Sequence, residues 1–187
     1  MQEHNLTLLF TKQEIANTVT NIACQINRDY KDTPILLICC LKGGVIFFSD
    51  LIRQLDCPVV GIEFIQASSY GTGTKSAHPP TIQSNIPKVS IENQNLLIID
   101  DIMDTGLTMS ALIETLTQLN PSNTAICTLL DKPSRRKTPI EPTYVGFTIP
   151  DQFVLGYGMD YNHSWTTTTA TEICLTYTSH SDLCERR

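Results

Sequence analysis

Leu96-Leu97-Ile98-Ile99-Asp100-Asp101-Ile102-Met103-Asp104-Thr105-Gly106-Leu107-Thr108 opens with four consecutive apolar residues. Such a run is too short for a helix and reads as a strand buried on both faces, as in a parallel sheet. Two carboxylates stand where that strand is expected to end. The small turn 104–108 then leads into Met109, Leu112, Ile113, Leu116 and Leu119 at helical spacing, and Asn120-Pro121 stops the helix. A polar loop between the carboxyl end of a parallel strand and a helix N-terminus is suited to an anion. Its N–H groups and the positive end of the helix dipole face the same point, and Thr105 and Thr108 add hydroxyl donors. Asp100 and Asp101 suit another part of the same ligand, either ribose hydroxyls or a hard cation bridged by water. Together these features point to a phosphorylated ribose. The plainer alternative, acids that cap a helix or face water, stays open at this level.

Length and composition narrow the class. The chain of 187 residues fits one domain with a good core, and 41% hydrophobic against 17% charged residues is ordinary for a globular protein. No apolar run approaches the roughly 20 residues of a membrane span, and Met1-Gln2-Glu3-His4-Asn5 lacks a basic leader, so a cytoplasmic protein without membrane contact is expected. A net charge of −6 argues against a broad nucleic-acid surface. The seven cysteines show no CxxC or Cys/His ligand spacing and read as reduced thiols, mostly in the core.

Outward from the central stretch, Thr11-Lys12-Gln13-Glu14 is a capping box, and Ile15, Val19, Ile22, Ala23 and Ile26 follow as one apolar helical stripe. Residues 1–10 read as a short lead-in. Ile35-Leu36-Leu37-Ile38-Cys39-Cys40-Leu41 is a second buried strand, and Lys42-Gly43-Gly44 at its end lets the backbone approach an anion. Residues 59–65 read as a strand. The polar segment 66–90, with Ser69-Tyr70-Gly71-Thr72, is long enough for a functional lid, its later part including short antiparallel strands. Residues 124–130 form another buried strand ending at Asp131-Lys132-Pro133-Ser134-Arg135-Arg136-Lys137. Lys132 stands at the ligand-binding end of that strand, whereas Arg135 and Lys137 are expected to be solvated. Residues 144–161 read as two strands around a Pro-Asp turn, with Phe153 in the core on periodicity alone, and residues 172–178 as a final strand.

The central stretch resembles the signature that binds 5-phosphoribosyl 1-diphosphate (PRPP) in type I phosphoribosyltransferases: an apolar strand, two acids, two apolar residues, Asp-Thr-Gly, then Thr. The stretch Tyr144-Val145-Gly146-Phe147-Thr148-Ile149-Pro150-Asp151-Gln152-Phe153-Val154-Leu155-Gly156-Tyr157-Gly158-Met159-Asp160-Tyr161 resembles the purine segment of the hypoxanthine(-guanine) branch. The resemblance covers roughly residues 35–162. It implies an α/β fold with a mostly parallel sheet flanked by helices, a hood from the terminal segments and a mobile flap over 66–90. It also implies transfer of phosphoribose from PRPP to a 6-oxopurine, hypoxanthine and with it guanine, by a homodimer or homotetramer using Mg2+.

The implied roles fall on particular residues. Asp100, Asp101, Asp104, Thr105, Gly106, Leu107 and Thr108 hold the phosphoribosyl group, and Asp104 is the general base. Lys42, Gly43 and Arg136 meet pyrophosphate, with a cis peptide expected at Leu41-Lys42. Ser69 and Tyr70 belong to the closing loop. Lys132, Phe153, Val154 and Asp160 serve the purine, and Asp100, Asp101 and Asp160 serve Mg2+. The tail departs from the pattern: the arginine expected shortly after Asp160-Tyr161 is missing, and His163-Ser164-Trp165 runs into Thr166-Thr167-Thr168-Thr169. A non-catalytic RNA-binding regulator on the same fold is the alternative.

Overall fold

The computed structural model describes residues 6–68, 81–83, 86–159 and 171–176. Three uninterrupted apolar runs build the centre: β2 (Ile35–Leu41), β5 (Asn95–Met103) and β6 (Asn123–Asp131). They lie parallel beside β3 (Val59–Ser68) and β7 (Tyr144–Thr148), and the short β4 (Thr81–Gln83) adds an antiparallel edge. The spatial order is β4-β3-β2-β5-β6-β7. This is the mostly parallel sheet anticipated from the apolar runs.

Alternation along the strands divides the core. Ile35, Leu37, Cys39, Leu97, Ile99 and Cys127 face α1 (Lys12–Asp29) and α2 (Val45–Ile52). Leu36, Ile38, Cys40, Leu96 and Ile98 face α4 (Leu107–Thr117) and the single turn α3 (Lys88–Ile91). Helix α1 starts where its capping box requires: Glu14 N–H donates to Thr11 Oγ1 at 3.3 Å, and Thr11 N–H donates to Glu14 Oε2 at 2.8 Å. Its buried residues are Ile15, Val19, Ile22, Ala23 and Ile26, the stripe read from the sequence.

Several boundaries differ from expectation. The lead-in contains a strand, β1 (Leu6–Phe10), which pairs antiparallel with β9 (Ile173–Thr176); β9 in turn pairs with β8 (Val154–Gly156). This small second sheet packs on the α1/α2 side through Val154, Ile173 and Leu175. The segment after β4 closes as the helical turn α3 rather than as another strand. Strand β5 does not stop at its acids: it leaves β2 after Ile99 but continues along β6 as far as Met103. Asp100 and Asp101 therefore sit where the sheet forks.

Of the six cysteines among the described residues all are free, and five are buried. No helix among the described residues is long and apolar enough to cross a membrane. Leu97 is fully enclosed at the middle of the sheet. Leu97→Ala is expected to cost about 2–5 kcal/mol of stability, read as a lower midpoint in urea denaturation at unchanged slope.

Candidate active site

Strand order places the site. β2 is followed in the sheet by β3 on one side and by β5 on the other, so the chain reverses its direction of progress between β2 and β5. Ligands of open parallel sheets bind in the crevice at the carboxyl ends of such a pair. Lys42-Gly43-Gly44 follows β2 at this end, and Asp100 and Asp101 lie on β5 at the fork. The Leu41–Lys42 peptide bond is cis, as the family resemblance implied. A side chain at Gly43 would run into the Asp101 carboxylate, so only glycine lets the two strand ends meet this closely.

The two acids are tied to the backbone. Asp101 N–H donates to Asp100 Oδ1 at 3.1 Å, and Ile102 N–H donates to Asp101 Oδ1 at 3.0 Å. Enclosure raises both carboxyls above the usual carboxylate range; for Asp100 the adjacent negative charge of Asp101 adds to the effect. Two hard oxygen donors of this kind fit a Mg2+ ion completed by water and substrate oxygens. Among the described residues there is no group of three His, Cys, Asp or Glu side chains that could hold a metal.

The loop after β5 enters α4 through Gly106, whose φ of +78° is a left-handed conformation that side chains rarely adopt. Thr105 Oγ1 accepts from Leu107 N–H at 3.4 Å. The loop is braced from the segment after β6. Lys132 N–H donates to Met103 O at 2.9 Å, Lys137 N–H to Thr105 O at 2.9 Å, and Arg136 NH1 to Asp104 O at 2.9 Å. Arg136 also pairs with Asp131, and both side chains are only 7% exposed. The Arg136 guanidinium thereby ties the end of β6 to the loop after β5.

A cavity of about 470 Å³ brings Gly43, Asp101, Asp104, Lys132, Phe153 and Val154 together. Lys132 is buried, and that burial lowers its pKa from the ordinary lysine value while Asp104 partly opposes the shift. Phe153 is 49% exposed and lines the cavity instead of joining the core, contrary to its periodicity. Val154 is buried at the start of β8. Arg135 and Asp151 line the same cavity. Arg135, expected to be solvated, pairs with Asp104 and Asp151 at 2.7 and 2.8 Å. Ser69, Tyr70 and Asp160 lie outside the described residues, as does the Thr-rich tail.

The comparisons agree with this geometry. A sequence model of the phosphoribosyl transferase domain matches residues 7–162. The chain belongs to the type I phosphoribosyltransferase family. It is 43% identical over 154 residues to the hypoxanthine-guanine phosphoribosyltransferase of Staphylococcus epidermidis, covering 82% of this chain and 85% of that protein. The crystal structure of a hypoxanthine-guanine phosphoribosyltransferase from Bacillus anthracis superposes with a TM-score of 0.82 at 35% identity, over 94% of this chain and 100% of that one. A hypoxanthine phosphoribosyltransferase from Staphylococcus aureus gives 0.82 at 38% identity, over 91% of both chains. This phosphoribosyltransferase is therefore an enzyme of purine salvage in general character.

Its acid pair makes a pH-dependent prediction. Between the unfolded aspartate value near 4 and the raised folded value, the folded chain binds more protons than the unfolded one, so stability falls as pH rises through that window. Asp100→Asn removes one of the two charges. It is expected to raise the thermal midpoint of the ligand-free protein at pH 7, with the gain shrinking toward pH 4 in differential scanning calorimetry.

Proposed function

We propose that the enzyme transfers the 5-phosphoribosyl group from PRPP to hypoxanthine and guanine, giving the nucleoside 5′-monophosphate and pyrophosphate. The observation that carries this reading is the single cavity that joins Asp101 and Asp104 to Lys132 and Phe153. It puts ribose-binding, proton-accepting and base-reading groups within reach of one substrate pair. The similarity to hypoxanthine-guanine phosphoribosyltransferases supports the choice of base.

In the proposed reaction the bond from C1′ to the pyrophosphate oxygen breaks and a bond from C1′ to purine N9 forms. The proton on N7 passes to the Asp104 carboxylate. Loop 104–108 binds the 5′-phosphate with its N–H groups and the α4 dipole. Asp100 and Asp101 hold the ribose hydroxyls, while the Lys42-Gly43 backbone receives the leaving group. Phe153 stacks on the flat base, Val154 reads its edge through the backbone, and the Lys132 ammonium polarises O6. Asp100 and Asp101 would hold Mg2+, which when bound would supply charge stabilisation for the departing pyrophosphate. Ser69, Tyr70 and Asp160 are assigned to flap closure and to the second cation by resemblance. A closed flap keeps water from capturing the cation-like sugar.

Asp104→Asn is expected to lower turnover by about 10²–10⁴-fold while leaving PRPP affinity within a few-fold. A spectrophotometric assay with PRPP, Mg2+ and hypoxanthine, guanine, xanthine, adenine or uracil checks both the reaction and the base. Turnover of adenine or uracil alone would overturn the assignment.

We also propose a cytosolic homo-oligomer. Five buried, free thiols suit a reducing compartment. Val60, Ile62 and Phe64 alternate along β3 and leave one apolar stripe exposed, as a self-complementary contact requires. Phe64→Glu is expected to shift the protein to monomers in sedimentation velocity; an unchanged sedimentation coefficient assigns the contact elsewhere.

A further inference from the structure

We infer that Arg135 is a positioning residue for the transfer, holding the proton-accepting carboxylate and the base-stacking segment in one fixed relation. The inference rests on the reaction proposed above. Arg135 closes the short turn Pro133–Arg135 directly after Lys132, so the end of β6 sets its place. Its Nε lies 2.7 Å from Asp104 Oδ1, an ion pair rather than an aligned hydrogen bond. Its NH1 donates to Asp151 Oδ1 at 2.8 Å. Asp104 belongs to the phosphate loop, and Asp151 stands two residues before Phe153 in the turn between β7 and β8. One planar guanidinium thereby joins three chain segments that line the same cavity.

The chemistry gives this tie a purpose. The carboxylate torsion of an aspartate is broad and roughly two-fold, so an untethered Asp104 would present its oxygens over a range of angles. With Arg135 on Oδ1, proton acceptance falls to Oδ2 in a defined orientation. Without the guanidinium between them, Asp104 and Asp151 would face each other across the cavity as like charges. The Arg135 side chain is 43% exposed and that of Asp151 56%, and pairs this open contribute little to folding stability. The tie should therefore register in turnover far more than in the thermal midpoint. A lysine keeps the charge, but a single ammonium lacks the rigid fork that reaches both carboxylates.

The test compares wild type, Arg135→Gln, Arg135→Lys and Asp151→Asn in steady-state kinetics with PRPP and hypoxanthine, and in amide hydrogen exchange of the ligand-free proteins. Arg135→Gln is expected to lower kcat about tenfold, to raise KM for the base, and to leave KM for PRPP within about twofold. Arg135→Lys recovers part of the kcat loss, and Asp151→Asn acts mainly on KM for the base. In exchange, Arg135→Gln speeds residues 101–108 and 150–155 together, whereas Asp151→Asn speeds only the second segment. Wild-type kinetics for Arg135→Gln overturn the inference, as does a parallel rise in KM for both substrates or a lysine variant no better than glutamine. The exchange measurement does not depend on activity. A wild-type protein that transfers nothing refutes the proposed reaction, while unchanged exchange in Arg135→Gln refutes the tie whether or not the wild type turns over.

Discussion

Arg136 carries a permanent charge to a place where its side chain is only 7% exposed, and its partner Asp131 is enclosed to the same degree. Removing two such ions from water costs about as much as their attraction returns, so the pair is better understood through geometry than through net stability. The guanidinium also takes up the Asp104 carbonyl. With the N–H groups of Lys132 and Lys137 on Met103 and Thr105, the segment 132–137 holds the loop after β5 at three consecutive carbonyl-bearing positions, 103 to 105. The next residue, Gly106, has its α-carbon against Thr138 and Arg136, where a side chain would collide. The brace and the glycine require each other: the loop reaches its shape because the brace fills the space below it.

Burial at the site works against charge of either sign. Enclosure pushes the carboxyls of Asp100 and Asp101 upward and the ammonium of Lys132 downward, each toward its neutral form. Shifted titratable groups gathered in one crevice are characteristic of functional sites. Such an arrangement lowers the stability of the free protein relative to an apolar equivalent, and the surrounding sheet must offset it. The core is placed to do so. Fully buried residues of β2, β5 and β6 support the fork from both faces.

The regular elements were legible from local patterns. The capping box at Thr11 and Glu14 marks the start of α1, and the spacing of Ile15, Val19, Ile22, Ala23 and Ile26 marks its buried face. The apolar runs of β2 and β5 announce burial on both sides, and the pattern Asp104-Thr105-Gly106 announces the turn into α4. Strand β1 was not legible, because its partner β9 lies at the other end of the chain and Leu6–Phe10 carries no local signal of that pairing. Phe153 was misjudged by periodicity for a similar reason. Its neighbours alternate as a strand would, but the residue precedes β8 and faces the cavity.

Local chemistry in the sequence thus determined the element types, the loop that can bind an anion and the family to which the chain is similar. Those properties depend on residues a few positions apart, where spacing translates directly into shared faces and caps. The tertiary structure decided which charges meet. Nothing in the run Ser134-Arg135-Arg136-Lys137 distinguishes a guanidinium buried beneath a loop from one bridging two carboxylates or from a solvated cation. That assignment depends on β6 ending beside β5, so that Arg136 meets Asp131 and the Asp104 carbonyl while Arg135 reaches Asp104 and Asp151. Charges interact through space, and only the packed sheet brings Arg135 within 3 Å of both Asp104 and Asp151.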